Sequence, residues 1–136
     1  MCLSDRNSMR CLIGLFFSLL LLGSCAGPTP EEMASLAAKG YYEHLIRGEY
    51  EQFLEGKALA DSLPVVYRMQ LLDAYKQFIA QQESSHHGIH DVRVVNARTD
   101  TLQHYTNVFL VLCFGDSTNE QIVVPMVHRN GTWRMK

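Results

Sequence analysis

The 136-residue chain is poor in the features by which small proteins declare their chemistry. Its four cysteines, Cys2, Cys11, Cys25 and Cys113, are not spaced as a zinc site or a dense disulfide framework, so neither is expected to hold the fold. Basic residues do not exceed acidic ones: 12 Lys+Arg stand against 14 Asp+Glu, a formal charge of −2. Without a positive surplus to pair with phosphates, nucleic acid is not an expected partner. No Gly-rich phosphate loop, Ser/His/Asp order or nucleotide fingerprint occurs, and no cofactor is expected. Long apolar runs are scarce too, and the length leaves room for one domain.

The longest apolar run, Leu12 to Leu22, follows a short polar segment in which Arg6 and Arg10 outweigh Asp5. That order is the n-region and h-region of a secretory signal. As a helix, 11 residues rise about 16 Å, well short of the roughly 30 Å hydrocarbon core, so the run is a poor permanent span. Its exit, Leu22-Gly23-Ser24-Cys25, resembles the bacterial lipobox. The resemblance implies cleavage before Cys25 and acylation of its sulfur and new amino terminus, with residues 1–24 as signal and 25–29 as lipidated Cys and tether. Two or three acyl chains hold a protein stably where one does not. Because Ala26 stands where many inner-membrane lipoproteins carry Asp, the resemblance favours the periplasmic side of an outer membrane.

Cleavage would leave 112 residues and, with Arg6, Arg10 and Asp5 gone, a formal charge of −3. Only Cys113 would remain free, so the fold must rest on its core. Thr29-Pro30-Glu31-Glu32 reads as a capped helix start, and apolar spacing from Met33 to Leu45 continues it to about Arg47, where Gly48 is placed to stop it. A short helical turn is expected over 49–55. A third helix is expected from Leu63 or Pro64 to about Gln82, with Val66, Met69, Leu72, Tyr75, Phe78 and Ile79 on one stripe. After Gly88 the period falls to 2. Strands are expected over 89–98, 104–114, 121–128 and 132–136, with Asn130-Gly131 as a hairpin turn and Pro125 at an edge or bulge. Residues 104–114 are apolar on both faces, as in a doubly covered strand, and Cys113 is expected to be buried there. Helices followed by an antiparallel meander indicate an α+β fold with helices on one face of a curved sheet.

Two stretches carry a further resemblance. Tyr41 to Phe53, where a helix ends at Gly48-Glu49-Tyr50, resembles the first helices of NTF2-like (cystatin-like) domains, and Val123 to Met135 is similar to the final hairpin of small DUF4878-type lipoproteins. The likeness covers residues 30–136 and implies a half-open cone. Within such a cone Tyr41, His44, Tyr75 and His104 are the candidate ligand-facing residues. Isomerases and hydrolases of this fold place acid/base groups there, but neither long helix carries Asp or Glu on its apolar stripe, and no catalytic residue is assigned.

The densest polar cluster is His86-His87-Gly88-Ile89-His90. Three imidazoles could hold Zn²⁺ or Cu²⁺ if a loop gathered them, with Asp91 as a fourth ligand, but neighbouring His86 and His87 diverge in extended chain, so an exposed helix-to-strand connection is the expected reading and no metal is assigned. If helices cover only one sheet face, Phe109 and Val111, with Val123 and Val127 beside them, are left for a partner, either a second copy or another envelope protein. The expected role is a lipid-anchored envelope domain that binds a small ligand or protein. The alternative is a small enzyme acting on an apolar substrate.

Overall fold

The computed structural model describes residues 26–136; the expected signal segment, residues 1–24, and Cys25 lie outside the described residues. Thr29 opens the first helix, its hydroxyl accepting the Glu32 amide at 3.2 Å while the Glu32 carboxylate accepts the Thr29 amide at 3.2 Å. Pro30 follows in the first turn, where an amide hydrogen would have no helical partner. Helix α1 (Pro30–Ile46) stops where Gly48 takes a φ of 76°, a left-handed conformation that side chains with a Cβ resist. Helix α2 (Tyr50–Glu55) follows, then a 3-10 turn over Ala60–Ser62 and helix α3 (Val65–His86). Among the described residues no helix is long and apolar enough to cross a membrane.

Helix α3 passes its expected end at Gln82 and takes in Ser84, Ser85 and His86. The cause is distant in sequence. The His86 ring stacks on Phe114 with 4.5 Å between centroids, its Nδ1 lies 2.9 Å from the Asp116 carboxylate, and its carbonyl accepts the Asp116 amide. His87 then turns left-handed at φ 59° and the chain enters the sheet.

Strands β1 (Ile89–Asp100), β2 (Tyr105–Phe114), β3 (Asn119–Arg129) and β4 (Thr132–Met135) form one antiparallel sheet in the order of the chain. Thr99 and Asp100, beyond the strand expected over 89–98, extend β1 by two residues; the Asp100 carboxylate accepts the amides of Leu102 and Gln103 and so holds the turn that follows. Asn130 and Gly131, at φ 52° and 77°, make the expected tight hairpin. Pro125 lies inside β3, opposite Asn107, rather than on an edge strand. Its carbonyl accepts the Lys136 amide at 2.8 Å, so its missing amide hydrogen falls where pairing toward β4 runs out. Beyond β4 the sheet is closed by residues 56–58: the Met135 amide donates to the Gly56 carbonyl and the Ala58 amide to the Met135 carbonyl, each at 2.7 Å.

The core lies between α1 and one face of the sheet. Ala34 and Ala38 of α1 are fully buried, and such short side chains let the helix backbone approach Val108, Leu110 and Met126. On β2 the residues from Thr106 to Phe114 alternate strictly, the even-numbered positions buried and the odd-numbered ones half-buried. The sheet is therefore covered on one face only, and the expectation of a doubly covered β2 is corrected: Cys113 is half-buried, not enclosed. Helix α3 has no buried residue. Val66 and Met69 of its expected inward stripe are exposed, Phe78 lies toward solvent, and only Tyr75 and Ile79 pack against the core.

Candidate functional site

Helix α1 runs antiparallel to edge strand β1. The Thr99 hydroxyl donates to the Glu31 carboxylate at one end, and Lys39 lies near Asp91 at the other. Because the buried stripe of α1 follows Ala34 and Ala38 inward, the two elements part along their outer side. The gap is an open groove of about 500 Å³, lined by Glu31, Ser35 and Leu36 of α1 and by Val94, Asn96 and Ala97 of β1. A volume of this order is that of small-ligand sites.

Of the polar groups around this groove, those of Glu31, Glu32 and Ser35 are engaged within the chain, while Asn96 is exposed. Glu32 closes the helix cap, and Ser35 donates to the Glu31 carbonyl at 2.7 Å. The Thr99 hydroxyl, followed by a backbone hydrogen bond, holds the Glu31 carboxyl below the usual carboxylate range. The residues that line this groove include no imidazole. Leu36, Val94 and Ala97 leave it an apolar surface.

The four ligand-facing candidates are not brought together. Tyr41 donates its hydroxyl to the Trp133 carbonyl at 2.7 Å and lays its ring against Gly56, where a Cβ would meet it at 2.5 Å. His44 sits near the C-terminal end of α1, with Nδ1 3.4 Å from Glu49 and 3.2 Å from Arg47. His104 lies in the exposed turn between β1 and β2, which is near the other end of α1. Tyr75 meets the edge of Phe53 at 4.9 Å. What Tyr75 does share is an aromatic cluster that the sequence reading missed, in which Tyr42 meets Phe53 from α1 at 5.3 Å. Burial pushes both phenols above their ordinary pKa, and for Tyr42 the neighbouring Tyr75 adds to it. Tyr42 is one turn beyond Ala38 and one before Leu45, so helical spacing alone would have placed it inward.

The three histidines of the metal candidate diverge. His86 is held by Phe114 and Asp116, His87 ends α3, and His90 lies on β1 beside Gly115. Among the described residues no group of three or more His, Cys, Asp and Glu side chains gathers as a metal site. On the outer sheet face Phe109 pairs with Val123 and Val111 with Gln121; the first and third of these valine and phenylalanine positions, Phe109 and Val111, are half-buried and Val123 is 51% exposed. Val127 departs from that set, being buried, opposite Arg134.

No protein-family model matches the chain, and no curated protein matches it either. One solved structure does: a Campylobacter jejuni protein described as a "Putative NTF2-like transpeptidase", at 14% sequence identity and a TM-score of 0.55, over 72% of this chain and 92% of that one. Likeness at this identity shows the fold. The helices followed by a curved four-stranded antiparallel sheet are an NTF2-like α+β arrangement.

Proposed function

We propose that the chain is a lipid-anchored cell-envelope protein whose domain, residues 30–136, holds a small apolar ligand or a protein partner and performs no chemistry on it. The observation that carries the binding half is the open, mainly apolar groove between α1 and β1, where Glu31 and Ser35 are hydrogen-bonded within the chain and Asn96 is left exposed. An enzyme of this fold would need a carboxylate or imidazole facing a phenol in a closed pocket, whereas Tyr41 is committed to the Trp133 carbonyl. The anchoring half rests on the signal-like segment and on Cys25, which would attach the protein to the periplasmic leaflet of an outer membrane. A homodimer or another envelope protein on the half-exposed outer face, through Phe109, Val111 and Val123, belongs to the same reading.

The name of the structural neighbour favours a second reading, acyl transfer. Transfer of that kind uses an activated nucleophile, and the one cysteine of the described residues, Cys113, stands opposite Asp91 on the next strand rather than opposite a histidine. The two readings separate in a palmitate-labelling and substitution experiment. Loss of label and of membrane retention in Cys25→Ala, with function preserved in Cys113→Ser, is the expected result. Loss of function in Cys113→Ser with the fold intact would favour the enzyme.

A further inference from the structure

We infer that the end of the domain from which the tether leaves lies on the bilayer surface, with Leu102 as its apolar contact and Met33 exposed in the first turns of the helix that begins there. The inference rests on the acylation of Cys25 proposed above.

Four residues separate Cys25 from Pro30, and the five steps of chain between them span at most about 17 Å. The first turn of α1 is therefore confined near the headgroups once the cysteine is acylated. The hydrogen bond between Thr99 and Glu31 ties the C-terminal end of β1 to this same turn, so the loop between β1 and β2 comes to the membrane with it. At the tip of that loop stands Leu102, 90% exposed. Its position is set rather than loose: the Asp100 carboxylate holds the amides of Leu102 and Gln103 at 2.9 and 3.0 Å, and the His104 amide donates to the Asp100 carbonyl. A turn so fixed directs a large apolar side chain away from the core. Met33, in the first turns of α1, is also exposed.

The charges at this end choose the surface. Glu31, Glu32 and Asp100 stand there with Arg98 and with Lys136, whose amine lies over the Tyr105 ring opposite Asp100, so there is no basic surplus to draw this end to anionic lipid and the occupant is the interface of a zwitterionic bilayer. Transfer of one leucine side chain changes a partition ratio by roughly tenfold or more, too little to recruit the domain from solution but enough to orient one already confined by an acyl anchor.

The test uses the acylated protein in vesicles of phosphatidylcholine and phosphatidylethanolamine, in a Cys113→Ser background, with a polarity-sensitive dye on Leu102→Cys or, as the control at the far end of the sheet, Ser117→Cys. The expected result is blue-shifted emission and quenching by headgroup-depth spin-labelled lipid at 102 but not at 117, with Met33→Glu lowering the quenched-to-unquenched ratio roughly tenfold. Equal, water-like emission at both positions in protein that carries the acyl group overturns this orientation and leaves the anchor standing. Protein that carries no acyl group at Cys25 overturns both together.

Discussion

Asp116 shows how much a single exposed side chain can do in this fold. The Thr118 hydroxyl, then His86 and the Thr118 amide, hold its carboxyl down to about 2 from an ordinary 3.8. Since the folded state lowers the pKa, the stabilisation is fully present above about pH 4 and is lost as pH falls toward 2. Asp116→Asn should therefore unfold at lower urea than the parent at pH 6, and the gap between the two should close on going to pH 2. A gap that stayed constant with pH would contradict this. Tyr41 gives a second test. If its hydroxyl serves the Trp133 carbonyl, Tyr41→Phe should cost about 1 kcal/mol of stability in urea unfolding and leave ligand retention unchanged. Gly56→Ala, which would drive a Cβ to 2.5 Å from the Tyr41 ring, should cost about 1–3 kcal/mol in the same measurement.

The helices differ sharply in how they are held. α1 buries Ala34, Ser35, Ala38 and Leu45, whereas α3 buries nothing and is fastened mainly at its ends, by Arg68 to Glu51 and Glu55 and by His86 to Asp116. Amide hydrogen exchange should accordingly be faster across the middle of α3 than in α1 or β2. Leu110→Ala, at a fully buried position, should cost about 2–5 kcal/mol, and Ile79→Ala on α3 markedly less. The same contrast explains what could be read in advance. Thr29-Pro30-Glu32, Gly48 and Asn130-Gly131 act on their own backbone, so the start and stop of α1 and the last hairpin were legible in the residues. The inward face of α3 was not, because Val65, Val66, Tyr67, Met69 and Phe78 put apolar groups around much of its circumference. Nor was its end, which depends on Phe114 and Asp116, some thirty residues away. The groove was illegible for a related reason: it is a gap between α1 and the edge of β1, created by where Ala34 and Ala38 seat the helix rather than by any motif. The four polar-tipped residues singled out by type are scattered, since a polar tip does not say which neighbour will use it.

At the scale of the whole molecule, one sheet face is sealed by helices and the other is left half-exposed, with Phe109, Val111 and Val123 across two strands. If that face meets a second copy, sedimentation of the acyl-free domain should show a monomer–dimer equilibrium that Val123→Lys shifts to monomer. A strictly monomeric parent at micromolar concentration would remove the dimer from the account. The anchor, the groove and this face make one claim together, that the protein is held at a membrane in order to bind. Native mass spectrometry of the protein purified from its own envelope tests that claim most directly. The predicted species begins at Cys25, carries acyl mass, and retains either a small apolar molecule or a second protein chain. A bare, acyl-free monomer still carrying residues 1–24 would contradict it.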